Sequence, residues 1–306
     1  MEITWFRRTG PRRAKVTRPG VNLLLPILLF HQFLSSITFP IAKVGLVVIE
    51  PFTFAFFRYV ISSLALFLIV SLQKHERPIE RDDIGKLIGL GLIVIPLNQT
   101  AYLWGQTLTA AGHGALLFAT IPLWIFLLAV WYLKEKPYWL RVVGLVIAIV
   151  GVVIVMTSGA IEISTDYLIG DLIIMMAVLA WSFYTVLGKP LVHKYGAFRT
   201  TAWALISGSI IYFPFGLYRA LTFDYTGVTW TAWISVLYLG LGTSVLAYGL
   251  WYWLLERMEV SRLAVYQNMQ PIIASAVAYI FLNEPVGWGF IIGGAIVLIG
   301  VIITEI

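Results

Sequence analysis

The chain has no cysteine among its 306 residues, which removes disulfides, thiolate metal sites and cysteine nucleophiles together. Charge is scarce as well. Only 12% of residues are Asp, Glu, Lys or Arg, against about 25% in an ordinary soluble domain, so no water-soluble surface can be built. Long polar stretches are missing too, and the short links between apolar runs leave no room for a soluble catalytic or nucleotide-binding domain. Histidine is down to four; His75 and His193 sit in charged segments and read as solvated. The motifs HExxH and GxSxG do not occur, nor does a pair of intramembrane carboxylates, and without them an intramembrane enzyme lacks its usual equipment.

What remains is apolar, 60% of the chain. Ten runs, near 21–44, 51–73, 84–108, 112–133, 138–157, 168–189, 197–218, 230–254, 260–282 and 286–305, are long enough for a hydrocarbon core that needs about 20 helical residues. They are too continuous for transmembrane strands. Helices are predicted, the open-ended element that satisfies its own backbone in lipid. The expected fold class is an all-α polytopic membrane protein of ten transmembrane helices behind a basic tail at 1–20.

A net charge of +6 would suit nucleic acid as a partner, but its distribution argues for a membrane instead. With alternating helices and a cytoplasmic N-terminus, 18 of the 21 basic residues fall on the cytoplasmic side. They cluster at 7–18, 74–86, 134–141, 189–199 and 257–262; Lys43 and Arg219 fall opposite, and Arg58 lies within a span. The positive-inside bias therefore predicts both termini cytoplasmic. The basic tail reads as a retained topology anchor, because no small-residue cleavage site follows the first run.

The chain also repeats. At an offset of 149 residues, Pro122 matches Pro271, Glu135 matches Glu284, Trp139 matches Trp288, Gly144 matches Gly293 and Gly151 matches Gly300. More weakly, Ser36 matches Ser182 and Lys43 matches Lys189 at an offset of 146. The predicted halves, 21–157 and 168–305, hold five helices each, an odd number, so they must cross the membrane in opposite senses as an inverted repeat.

The mid-helix prolines, the acidic residue at the following junction (LKEKP at 133–137, LNEP at 282–285) and the glycine-spaced helices (GLVIAIVG at 144–151, GGAIVLIG at 293–300) resemble the ten-helix, EamA-type branch of the drug/metabolite transporter superfamily. The resemblance covers nearly the whole chain. It implies a secondary transporter in the cytoplasmic membrane of a prokaryote, exporting an amino acid or a related small metabolite by alternating access. Multidrug efflux is the alternative, and an intramembrane enzyme is the rival from another class. A small-molecule substrate and the lipid bilayer are the expected partners, with no cofactor and no nucleic acid.

Transporters bind cargo near the midplane where helices are interrupted, and that rule selects the candidates. Pro122 and Pro271 are expected kinks. Beside Pro271 stand Gln267, Asn268 and Gln270, whose first-half counterparts Phe118, Ala119 and Ile121 are apolar. His31 and Gln32 lie about 14 Å into the first run, with Ser35 and Ser36 one turn on. Asn98 and Gln99 follow Pro96 in a polar break of the third run. Trp181, Tyr184 and Tyr248 are expected cavity walls. Arg58 is expected to snorkel toward the interface, the alternative being that it holds a cargo carboxylate.

Glu135 and Glu284 are expected to stabilise the N-terminus of the helix that follows each. That leaves no deep carboxylate as an ion carrier, and His31 as the one titratable group near mid-membrane. A facilitator is therefore favoured over a proton antiporter. Gly85, Gly89, Gly144, Gly151, Gly293 and Gly300 permit close helix approach, either within one bundle or between chains.

Overall fold

The computed structural model of the protein describes residues 21–73, 78–109, 117–157, 167–270, 272–273, 276–277 and 288–305. Among these the regular structure is helical throughout. The elements are α1 (Val21–Leu46), α2 (Pro51–Leu72), α3 (Arg81–Leu108), α4 (Ile121–Tyr132), α5 (Trp139–Thr157), α6 (Leu168–Tyr195), α7 (Ala197–Thr222), α8 (Trp230–Arg257), α9 (Val260–Val265) and α10 (Trp288–Glu305). Six of them, α1, α2, α3, α6, α7 and α8, are long and apolar enough to cross a membrane. Large apolar side chains such as Phe67, Trp131, Ile169, Ile210 and Ile302 point outward, a surface that water would not tolerate and lipid requires.

The charged side chains gather at the helix ends. At one end of the bundle Asp83 accepts from Lys86, Lys194 and Tyr195, and Arg141 pairs with Glu259. At the other end Arg219 pairs with Glu50, its Nε 2.9 Å from Oε1, and Thr109 donates to Asp171. Pro51 occupies the first turn of α2, where a missing N–H costs nothing. Between α6 and α7 the chain reverses at Gly196, whose φ of +84° lies in the region open to glycine.

Two features organise the interior. The first is a seam between α5 and α10. A Cβ added at Gly144 would stand 2.6 Å from the Gly300 carbonyl oxygen, and one at Gly151 would stand 2.7 Å from the Gly293 oxygen. Four of the six glycines singled out thus bring backbones together within the chain, while a methyl added at Gly85 or Gly89 would meet nothing within 4 Å. The second is a widening of α3 and α8 into π turns, at Ile93–Thr100 and Tyr238–Ala247. Shifted by the 146 residues that separate Lys43 from Lys189, the first segment falls on 239–246, inside the second.

The structure corrects several expectations. Pro122 does not kink a helix at mid-span: it sits in the first turn of α4, after a turn at Ala119–Thr120. A fixed φ and no N–H suit that position better than a helix interior. The polar break at Asn98 and Gln99 is no break either, since α3 runs on through its π turns. Glu135 does stabilise a helix N-terminus, but that of α9 rather than of α5. Its carboxylate accepts from the backbone of Val260 at 2.9 Å, from the backbone and hydroxyl of Ser261 at 3.0 and 2.7 Å, and from Lys189 at 3.1 Å. Pro271 and Glu284 lie outside the described residues.

Candidate functional site

The side chain that matters most is the one expected at the surface. Arg58 is 2% exposed and donates through Nε to the Ser244 hydroxyl at 3.0 Å. Ser244 donates onward to Oε1 of Gln99 at 3.5 Å, and Tyr248 stands against the same guanidinium. The snorkelling expectation is therefore wrong. Seven residues beyond Pro51, about 10 Å along the axis, Arg58 is walled in by α3 and α8, and the hydroxyl of Ser244 offers it a nearer partner than the interface does.

The two π segments supply those partners. Gln99 lies in the last turn of the first and Ser244 inside the second; widened turns of this kind recur at functional sites. Beside them Tyr59 bonds Thr100 at 2.9 Å and Thr38 bonds Thr243 at 2.8 Å, so α1, α2, α3 and α8 are stitched together by hydroxyls. Asn98 is turned elsewhere, donating to the Ala177 carbonyl of α6 at 2.8 Å.

From Tyr248 a wall of rings runs inward. Tyr248 lies 4.9 Å from Trp181, which lies 5.7 Å from Tyr184 and 5.8 Å from Trp251. Trp251 stacks on His31 at 5.3 Å and donates to Thr185 at 3.1 Å. His31 is buried, with Ser35 one turn away at 3.3 Å. Next to it, Gln32 accepts from Gln270 at 3.0 Å, which joins α1 to the segment after α9.

The amide group at 267–270 divides. Tyr266–Asn268 tighten into a 3₁₀ turn, and Gln267 and Asn268 are buried there. Both polar atoms of the Asn268 side chain, the Gln267 oxygen, and the Gln32 and Gln99 nitrogens have no hydrogen-bond partner among the described residues. Such groups are rare in a finished interior, and each asks for a reason.

The structure thus gathers Arg58, Gln99, Tyr248, Trp181, Tyr184, His31, Gln32 and Gln270 into one connected group, and among the described residues leaves Asn98, Gln267 and Asn268 without a direct bond to it. Sequence reasoning missed Ser244 and the role of Trp251. The weak offset of 146 did carry a signal, since it sets Ser244 opposite Asn98.

The EamA-like transporter family matches this sequence twice, over residues 23–157 and 168–306. The chain belongs to that family. It is therefore a multi-pass membrane transporter of the drug/metabolite superfamily and not an enzyme. An uncharacterized transporter of Archaeoglobus fulgidus is 27% identical over 88% of this chain and 94% of its own length. YetK of Bacillus subtilis, also an uncharacterized transporter, is 26% identical over 81% of this chain and 76% of its own. A probable terminal-alkyne amino-acid exporter of Streptantibioticus cattleyicolor is 25% identical over 87% and 88%. A crystal structure superposes with a TM-score of 0.75, covering 92% of this chain and 98% of the other at 18% identity, a likeness of fold alone.

Proposed function

We propose that this EamA-family protein is a secondary transporter of ten spans, built as two inverted five-helix halves at 21–157 and 168–305, that exports an amino acid or related metabolite by alternating access. Both termini face the cytoplasm, across the inner membrane of a prokaryote. The observation that carries the reading is the polar cluster at the π segments: Arg58 and Gln99 come from the first half, Ser244 and Tyr248 from the second. A site shared between halves is what alternating access needs, because rocking one half against the other exposes it to each side in turn.

The inverted repeat draws support from symmetry in the contacts. Exchanging each seam glycine for its counterpart turns the pair Gly144 and Gly300 into Gly293 and Gly151, which is the other contact of the seam. The π segments answer one another in the same way. The amino-acid cargo is supported by the role given to the Streptantibioticus relative. Multidrug efflux would draw on the ring wall, but a buried guanidinium is poorly matched to neutral, apolar drugs.

His31, sealed against Trp251 with no carboxylate bonded to it among the described residues, favours a facilitator over obligatory proton exchange. The test is reconstitution into liposomes with a panel of radiolabelled amino acids and related metabolites. Saturable flux that runs down the cargo gradient in either direction, with no pH gradient applied, is expected. Chemical turnover of a compound without its movement would sink the transporter reading.

A further inference from the structure

Arg58 is a buried cation with no anion among the described residues. Every ion pair found there lies at a helix end, and none includes Arg58. Ser244 takes one of the five guanidinium donors, and its hydroxyl directs its own proton to Gln99 Oε1. That bond turns the Gln99 amide so that its oxygen is occupied and its nitrogen is not: Nε2 has no partner among the described residues, on a residue 1% exposed. Two sets of unused donors thus flank Ser244, the remaining guanidinium N–H groups and Gln99 Nε2, and the first carries a full charge.

We infer that Arg58, backed by Gln99 Nε2, receives the carboxylate of the cargo, and that the apolar body of the cargo lies along the wall of Tyr248, Trp181 and Trp251. The inference rests on the transporter reading for its biological sense, but not for its chemistry. A guanidinium is a planar fork that fits a carboxylate through two parallel hydrogen bonds. One positive charge calls for one negative charge. The other described Lys and Arg residues stand at or near helix ends, so a doubly charged phosphate would lack a second cation. Tyr248 touches both parts of the site, beside the guanidinium and 4.9 Å from Trp181, which fixes where the charged end of the cargo gives way to its apolar body.

Matched pairs of compounds test this on the unmutated protein. Phenylalanine, leucine and 3-phenylpropionate would each be compared with the corresponding primary amide, which keeps the shape and loses the anion. Binding would be read as thermal stabilisation of the full-length protein in detergent, and transport as flux in proteoliposomes. The acids are expected to stabilise the protein and the amides are not. Arg58→Gln should weaken acid binding by about 30-fold or more, the usual scale for losing one member of a buried charged pair, while Arg58→Lys should recover part of it. The assignment is overturned if the amides bind as tightly as the acids, if no acid binds, or if Arg58→Gln binds acids within about threefold of the parent. Should Arg58→Gln fail to fold, the matched pairs alone decide. Acid binding without flux of any compound would refute transport and leave the carboxylate site standing. Flux of amides alone would do the reverse.

Discussion

Removing the Glu135 carboxylate should be a costly single change at the ends of the bundle. It accepts four hydrogen bonds, three from the first turn of α9 and one from Lys189 of α6. The pair is well shielded, with 15% of the Lys189 side chain and 10% of the Glu135 side chain exposed. Breaking a buried pair by deleting one partner costs about 3–5 kcal/mol, and losing a helix cap about 1 kcal/mol. Lys189 is not stranded, however, since it also donates to the Met258 carbonyl at 3.1 Å. We therefore expect Glu135→Ala to destabilise by about 2–4 kcal/mol, below the combined range of about 4–6 kcal/mol, because Lys189 keeps an acceptor. Glu135→Gln, which retains one acceptor, should cost about half of that.

Equilibrium unfolding of the purified protein in mild detergent measures this, and a double-mutant cycle with Lys189→Met isolates the pair. A Glu135→Ala variant within about 0.5 kcal/mol of the parent would refute the reasoning. Acid provides a second check. Burial pushes the Glu135 carboxyl up, but the Ser261 hydroxyl, Lys189 and the backbone of α9 outweigh it and hold the group below its ordinary value of 4.5. A depressed carboxyl lends stability that is fully present above the unfolded value and is lost as pH falls through the folded one. The parent should therefore lose stability below about pH 4.5, and Glu135→Ala should not show that part of the loss.

Other outcomes follow from packing, from the amides and from topology. Gly151→Ala would set a methyl 2.6 Å from the Val297 nitrogen, backbone that cannot step aside, and should destabilise by about 1–3 kcal/mol. Gly89→Ala, with nothing within 4 Å, should instead stabilise by about 0.5–1 kcal/mol; thermal unfolding of the two variants separates them. Replacing Gln267, Asn268 and Gln270 by the apolar Phe, Ala and Ile of the first half should abolish or redirect flux in a folded protein, and unchanged apparent affinity for the same cargo would make these amides packing residues. Ile163→Cys should react with an impermeant thiol reagent from outside the cell and Pro78→Cys should not; the reverse pattern would invert the proposed topology.

How much of this could be read from the sequence depended on range. The helices were legible, because a hydrocarbon core imposes one length and one composition on each run. The glycine seam was legible as spacing, since the same residues recur at 144 and 151 and at 293 and 300. Arg58 was not, because its partner Ser244 lies 186 residues away and a lone arginine near a helix end looks the same whether it turns outward or inward. Pro122 was misjudged for a related reason: proline suits the start of a helix as well as a kink, and only the turn at Ala119–Thr120 tells them apart. The first π segment left a trace, Pro96 with Asn98 and Gln99, that read as a break. An inserted residue advances the helix by about 100°, which disrupts the apolar stripe without stopping the helix.

The seam between α5 and α10 also says which parts of the molecule cannot move. Where side chains separate two helices, the helices can slide or roll by exchanging rotamers. Here carbonyl oxygens and amide nitrogens face the partner's glycine Cα atoms at two levels, Gly144 with Gly300 and Gly151 with Gly293. A slip of one turn would bring Ala148 to the place of Gly144, or Val297 to that of Gly293, with a side chain where the seam has room for none. The two helices must travel as a single double-stranded strut. Whatever opens the Arg58 cluster to one side or the other has to pivot around that strut, in the helices held by hydroxyls, rings and salt bridges.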